Sequence, residues 1–358
     1  MRGTQVVRDA QAADVAAIVR IGAENDLFSF DLDDAGFERM LVWSYRAAPA
    51  PAGFHAVAER ASTIVGHYGL MPFAYRIDGA PALCGIAGNL VIVREQRRGW
   101  MFIAMQRHLT ETFPPRGFDL IYAIGARPEV IDLNIRVGWT RSGLLPIYAK
   151  PYRVAALLSA SIGSTLLRAL ALPFAAAGAR VWRTLHAHRG DVTVTAVAEF
   201  PPEIAAFAEA FSQALPTLAV RSAAVLAWRF GAGSERDYRI AVARRAGIVV
   251  GSVVTRVMTM HGLRTLAVVD LAALPRDRGA LDALFVYVDG VARRERVDVA
   301  SALSTPAGAF VGALRRAGYL RAPESLTLLT QSAPQSGPLV DERFLRDWHL
   351  SWFDHDFV

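Results

Sequence analysis

The chain has one cysteine, Cys84, and one lysine, Lys150, among 358 residues. A single cysteine closes no internal disulfide, which favours a reducing, cytoplasmic setting. Cys84 sits in an apolar run and reads as a small core residue. No histidines and cysteines recur at metal-ligand spacing, so no metal site is expected. No apolar run reaches the about 20 residues that a membrane span needs. Met1-Arg2-Gly3-Thr4 leads into a strand pattern rather than a signal-peptide core. The net charge of +6 comes from arginine scattered in pairs such as Arg244-Arg245, Arg293-Arg294 and Arg315-Arg316. No basic stripe interleaved with aromatics and no recognition-helix pattern accompanies it, so no nucleic-acid partner is expected.

What is present is apolar and ordered. Hydrophobic residues make up 53% of a chain long enough for two domains. The richest stretch runs from Val91 to Leu109. An apolar strand over Asn89 to Val93 stops at Arg94-Glu95-Gln96-Arg97-Arg98-Gly99. A helical pattern follows, with Met101, Met105 and Leu109 on one face and Gln106 and Arg107 turned away. A strand, an Arg/Gly loop and a helix start make an anion cradle. The first helical N–H groups lack intrahelical partners and point into the loop. Gly99 permits close backbone approach, and the arginines add positive charge. A phosphorylated ligand, above all a pyrophosphate, suits this place; a solvated helix start is the plainer reading.

The spacing Gln96-x-x-Gly99-x-Met101 resembles the Q/R-x-x-G-x-G/A signature of the GNAT superfamily of acyl-CoA N-acyltransferases. Met101 stands where that family usually has Gly or Ala. The flanking order also resembles a GNAT domain, over roughly Val6 to Lys150. Val6 to Arg8 reads as a strand, and Asp9 as a cap for a helix over Ala12 to Ala23. Phe54 to Glu59 and Thr63 to Pro72 read as paired strands, and Leu83 to Val93 as the strand entering the cradle. Phe118 to Ile124 is a further strand, Pro128 to Val137 a helix with Pro in its first turn, and Leu144 to Ala149 a last strand. Gly138-Trp139 stands where the family commonly has Gly-Phe. The resemblance implies an α/β (α+β) fold with a mixed, mostly antiparallel sheet flanked by helices. It also implies acetyl-CoA, or another acyl-CoA, as cosubstrate without a metal.

The second half repeats the series by order rather than identity. It runs Val192 to Val197, Pro201 to Leu215, a hairpin of Asp237 to Arg244 with Gly247 to Met258, Arg264 to Leu274, and the turn Pro275 to Ala280. Leu281 to Ala292, Val297 to Ala302, Pro306 to Ala317 and Gly318-Tyr319 follow. Arg276-x-x-Gly279 stands where Gln96-x-x-Gly99 stands in the first half. Asp277, Asp282 and Asp289 bring negative charge to this second turn and helix, which repels a phosphate. Two GNAT-like lobes are expected: 1–153 with an acyl-CoA site, and a degenerate one over 190–358. Residues 154–189 join them as an apolar helical linker. Arg168 and Pro173 interrupt that linker. Two readings of 154–182 stay open: helices buried between lobes, or peripheral contact with a membrane surface. Trp228-Arg229-Phe230 reads as a core Trp beside a paired Arg, or as the floor of an acceptor site. The tail from Asp347 is too rich in Trp and Phe for a disordered end, and is expected to dock. Its Asp354-His355-Asp356 lacks a third ligand for a metal.

Acyl transfer sets the remaining requirements. The attacking amine must lose a proton to a base. The carbonyl oxygen needs hydrogen-bond donors. In many GNATs a Tyr four residues before the Gly-Phe position protonates the departing thiolate. Asn134 stands there and cannot act as an acid. A thiol pKa near 8.5 makes departure as thiolate tolerable. The catalytic candidates are Asn89 on the strand that splays in GNATs, His67 as a base near neutral pH, and Tyr122 as an acid. The coenzyme A candidates are Val91, Val93, Gln96, Arg97, Arg98, Gly99, Trp100, Met101 and Asn134. Glu24 and Asp26 lie where GNAT acceptors often enter. The expected reaction is transfer of an acetyl or other acyl group to an amine of a small molecule or sugar. Two alternatives stay open: a non-catalytic acyl-CoA-binding or scaffold protein, and a tRNA-dependent aminoacyl transferase on a tandem GNAT fold.

Overall fold

The computed structural model describes residues 5–25, 33–50, 53–97, 100–125, 127–153, 190–337, 339–340 and 344–355. The linker 154–189 lies outside these residues, and so do Asp26, Arg98, Gly99 and Asp356. In the first half the order is β1 (Gln5–Asp9), α1 (Val15–Glu24), α2 (Asp34–Arg46), β2 (Phe54–Arg60), β3 (Thr63–Ile77) and β4 (Ala80–Ile92). Then come α3 (Met101–Thr112), β5 (Leu120–Gly125), α4 (Pro128–Arg136) and β6 (Thr140–Pro151). The second half has β7 (Val192–Val197), α5 (Ile204–Ala214), β8 (Thr217–Ala219), α6 (Ala223–Phe230), β9 (Tyr238–Arg245), β10 (Ile248–Met260) and β11 (Leu263–Ala273). It ends with α7 (Arg278–Arg294), β12 (Val299–Leu303), α8 (Val311–Arg316), β13 (Leu320–Ser332) and β14 (Trp348–His349). The mixed α/β class and the mostly antiparallel pairing agree with the expectation. Among the described residues no helix is long and apolar enough to cross a membrane.

Two compact units form, and each draws on both halves of the chain. The first comprises Met1–Gly143, Ala224–Arg236 and Thr327–Phe344; the second comprises Leu144–Ala223, Asp237–Leu326 and Leu345–Val358. A division at 153 and 190 follows element order and differs from this. The reason is strand pairing. In the first unit β5 is flanked by Thr327–Ser332 of β13, antiparallel. In the second, β12 is flanked by Ile147–Pro151 of β6, antiparallel. A last strand satisfies its backbone N–H and C=O groups equally well in either sheet, so period-2 patterning does not say which one it joins.

The first unit's strands run β1, β2, β3, β4, β5, β13, all antiparallel except β4 with β5. Its core includes Met101, Met105 and Leu109 of α3, packed with Tyr68, Leu70, Ile121 and Trp139. The predicted apolar face of α3 is therefore the observed one. Gln106, expected to face outward, is fully buried. Its Nε2 donates to Asn134 Oδ1 at 2.7 Å, and its Oε1 accepts from Trp139 Nε1 at 3.1 Å. A buried amide is tolerated when both ends are paired. Asp9 does not cap α1. It ends β1 and pairs with His108 and Arg116. Cys84 is buried and in no disulfide.

Trp228 belongs to this first unit, where it stacks on Trp43 with ring centroids 5.0 Å apart. Each indole N–H donates to the other's backbone carbonyl, at 2.7 and 3.0 Å. Arg229 is fully buried, with its guanidinium 5.7 Å from the Trp43 ring. The Trp-Arg-Phe segment is thus core, in line with the plainer of its two readings.

In the second unit the strands run β6, β12, β11, β10, β9, β7, with only β11 and β12 parallel. The sole lysine, Lys150 of β6, is buried. It donates to both oxygens of Asp289 on α7, at 2.6 and 2.8 Å. The Tyr152 hydroxyl joins the same carboxylate. Asp289, read from sequence as negative charge on or near this helix, lies on it and anchors it to a strand.

Candidate active site

β4 and β5 run parallel and are paired over only three residues, Cys84 with Leu120, Gly85 with Ile121 and Ile86 with Tyr122. Past Ile86 and Tyr122 the pairing stops, and a wedge opens between the strands. Just past the opening β4 carries a bulge. His67 faces Val91 and Gly69 faces Gly88, so Asn89 and Leu90 together oppose Tyr68. Asn89 is left-handed, with φ 56°, a conformation that Asn tolerates better than most residues. Gly88, Asn89 and Leu90 are only partly buried, although they lie on a central strand. The 94–96 turn and α3 follow. Among the described residues the N-cap of α3, Trp100, makes no side-chain capping bond, and a helix start of this kind favours an anion through its dipole and leading amides.

The bulge is held by a cluster of four side chains. Asn89 Nδ2 donates to the Tyr45 hydroxyl at 2.7 Å. The carbonyl of Asn89 is 2.9 Å from His67 Nδ1, and His67 Nε2 is 2.8 Å from His55 Nδ1. The carbonyl only accepts, so His67 Nδ1 carries a proton. Burial drives the His67 pKa down to about 4, against a smaller opposing push from the Asn89 bond. His67 is therefore neutral near pH 7, its Nε2 is a lone pair, and His55 Nδ1–H donates to it. The Tyr45 ring lies 3.9 Å from the His55 ring. The position of Gly69 is set by that tyrosine, because a Cβ there would lie 2.1 Å from the Tyr45 hydroxyl oxygen.

His67 thus does not suit the role of base near neutral pH that its strand position predicts. It is a buried, neutral link between Asn89 and His55. Sequence reasoning missed Tyr45 and His55. The helix carrying Tyr45 had not been read, and His55 reaches His67 only through the register of β2 on β3. Tyr122 is fully buried with its hydroxyl 2.9 Å from that of Tyr75, a packed pair rather than an acid poised in the wedge.

The expected coenzyme A residues fall into three groups. Val91 is buried on the strand, and Val93 lines a cavity of about 600 Å3 with Arg20, Glu24, Asn25, Thr63 and Arg94. Gln96 and Arg97 are turned onto the protein. Gln96 Oε1 accepts from Arg60 Nη1 at 2.8 Å, and Arg97 donates to the Ile92 carbonyl and Asn25 Oδ1, both at 2.9 Å. What they offer a ligand is backbone and charge. Trp100 is half exposed, whereas the Met101 side chain is buried in the core. The Asn134 side chain is committed within the protein. Its Oδ1 holds Gln106, its Nδ2 donates to the Val130 carbonyl at 2.9 Å, and it is buried. Among the described residues no group of three His, Cys, Asp or Glu side chains is arranged to hold a metal.

The second unit has the same plan with a different content. β11 and β12 pair from Thr265 with Val299 to Ala267 with Ser301 and then part. β11 bulges just beyond, with Val269 the extra residue between Val268 and Asp270. Here Asp277 caps α7, accepting from the Ala280 amide at 3.0 Å. Arg245 holds the same carboxylate at 2.8 and 2.9 Å. The Arg245 bonds, with those from the Ala280 and Gly279 amides, pull the Asp277 pKa below its ordinary value. The amides that would meet a phosphate already meet a carboxylate.

No family profile and no curated protein matches the sequence. Solved structures do match the fold. A conserved protein of unknown function from Enterococcus faecalis V583, described as a probable N-acyltransferase, superposes with a TM-score of 0.64. The two share 12% identity over 92% of this chain and 73% of that one. A GCN5-related N-acetyltransferase from Anabaena variabilis ATCC 29413 gives a TM-score of 0.63 and 11% identity, over 92% and 73% of the two chains. A tandem GNAT protein from the clavulanic acid biosynthesis pathway gives 0.59 and 13%, over 94% and 99%. In fold, this chain is similar to GCN5-related N-acetyltransferases, a tandem GNAT protein among them.

Proposed function

We propose that the chain is an acyl-CoA-dependent N-acyltransferase that works through its first unit, passing an acetyl or other acyl group to an amine of a small molecule or sugar. The observation that carries this reading is the β4–β5 pair, which parts after Ile86 and Tyr122 and has a bulge at Asn89, ahead of a helix whose N-cap, Trp100, makes no side-chain capping bond. The thioester arm of coenzyme A lies along β4 past Ile86. The pyrophosphate lies ahead of α3, held by backbone N–H groups and the charge of Arg94 and Arg97. The amine nitrogen attacks the thioester carbon; a C–N bond forms, the C–S bond breaks and the thiolate leaves. A thiol pKa near 8.5 lets it leave without an acid at position 134. The proton released by the amine passes to solvent water.

A second reading is favoured by one observation. Asn134 is committed to Gln106 and Val130, so the thiolate gains no proton donor at that position. A protein that binds acyl-CoA without turnover fits this equally well. Calorimetry with acetyl-CoA, followed by thiol release over a panel of amines, separates the two. Binding with release on some amine supports transfer, and binding without release on any amine supports the second reading. Absence of binding defeats both.

A further inference from the structure

In the second unit the wedge between β11 and β12 does not stand open. Val268 to Ala273, the stretch of β11 past the divergence, is buried throughout. The cover is the chain's own end. The turn Trp352–Asp354 packs on β11. Further back, the Trp348 carbonyl accepts from Thr305 Oγ1 at 3.0 Å, just past β12. The segment therefore runs from the end of one diverging strand to the other. β14 within it pairs in parallel with β8. Arg221, two residues after β8, locks the far end. Its Nη2 lies 3.0 Å from Asp270 Oδ1 on β11 and 3.9 Å from Asp354 Oδ2. Its guanidinium is 4.4 Å from the centre of the Phe353 ring. Arg221, Asp270, Phe353 and Asp354 are each at most 2% exposed. Such a group of charges holds together only while all its members are present.

We propose that Trp348–Asp354 is a built-in occupant of the second wedge, filling the slot between β11 and β12 in place of a ligand arm and keeping that lobe closed to acyl-CoA. With Asp277 in the cradle, both ends of the ligand track are then filled by the chain itself. The proposal does not depend on the first unit being a transferase.

The test is amide hydrogen exchange on the full chain, with and without saturating acetyl-CoA. Without ligand, the amides of Trp348–Asp354 exchange at least about 100-fold more slowly than in an unstructured peptide. Acetyl-CoA changes them, and those of Val268–Ala273, by less than about 2-fold. Phe353→Ala removes the ring beside the guanidinium and leaves the ion pairs in place. It speeds exchange in the tail and in Val268–Ala273 by about 10-fold or more, while β9 and β10 keep their protection. Tail amides that exchange freely, or that loosen as acetyl-CoA protects β11, overturn the proposal. So does a Phe353→Ala protein that loses β9 and β10 together with the tail, because the segment would then be lobe core and not an occupant. Failure of acetyl-CoA to bind anywhere overturns the transferase reading alone, since the unliganded exchange and the variant still decide this one.

Discussion

The two helix starts beside the two wedges share a backbone plan and differ in what stands at the first turn. At α3 the N-cap Trp100 makes no side-chain capping bond, and the sequence before it is rich in arginine. At α7 the carboxylate of Asp277 caps the amides and Arg245 neutralises it. A helix start attracts an anion whatever its source. Where the chain supplies its own, as at Asp277, the helix start is a structural joint. The same holds for the strands, because Gly88 to Leu90 stay partly open and Val268 to Ala273 are covered.

The sharpest way to break this comparison is a matched pair of substitutions. Gly99→Asp places a carboxylate in the first cradle and should weaken acetyl-CoA binding by at least about 100-fold, or about 2.7 kcal/mol. Gly279→Asp should leave binding within about 2-fold. A Cβ at 279 meets the end of the Arg245 side chain at 3.1 Å, Asp277 Oδ1 at 3.6 Å and Val192 Cγ2 at 4.0 Å. Calorimetry that shows the reverse would exchange the roles of the two units.

Each unit also buries a neutral histidine, and this gives the next largest effect. His67 keeps its ring neutral down to a pKa of about 4, whereas it titrates near 6.5 when unfolded. Between those values the unfolded chain binds the extra proton. Stability is therefore full above pH 6.5 and falls as the pH drops toward 4, by at most about 1.4 kcal/mol per pH unit for one such group. His349 in the second unit is shifted down by burial, with the Arg221 charge adding to it, and has the same sign. Urea unfolding at several pH values should show the slope, and His67→Gln should flatten it in the first unit. An unchanged slope would mean that His67 is protonated in the fold.

Tyr45→Phe removes the acceptor of the Asn89 amide and should cost about 1–3 kcal/mol. Gly69→Ala drives a methyl group into the Tyr45 ring and should cost a similar amount. Both should lower the thermal midpoint and slow thiol release more than they weaken acetyl-CoA binding; equal loss of the two would remove the cluster from the chemistry. The smallest effect is expected at the second cradle. Asp277→Ala loses a helix cap and should cost about 1 kcal/mol in stability. It should create no second acetyl-CoA site while the tail stays docked, and a second binding event in calorimetry would show that the cap alone closed the lobe.

Much of the fold was legible because local rules agreed. Val192–Val197 is a strand with the predicted bounds, and Pro128 starts α4. The order of a strand end, a basic turn and an amphipathic helix was legible, and β4, the Arg94–Gln96 turn and α3 follow it. Asp277 was legible as a competitor for the second helix start. The site itself was read less well. His67 and Asn89 were both singled out, but their meeting, and the parts played by His55 and Tyr45, were not. A bulge in β4, a second bulge between Ala58 and Glu59, and an unread helix decide those contacts.

The sequence by itself determined the order of the elements it predicted, without α2, β8, α6 and β14, together with the repetition of that order, the apolar face of α3 and the contrast in charge between the two turns. Each depends on residues within a few positions of one another, where period, capping and turn chemistry act. Only the tertiary structure decided which strands complete which sheet, that Ala224–Arg236 joins the first unit, and that the chain's end closes the second wedge. These outcomes depend on burial and pairing between residues far apart in the chain. Hydrophobic burial is non-directional and does not name its partner, and an edge strand accepts any strand that offers matching hydrogen bonds.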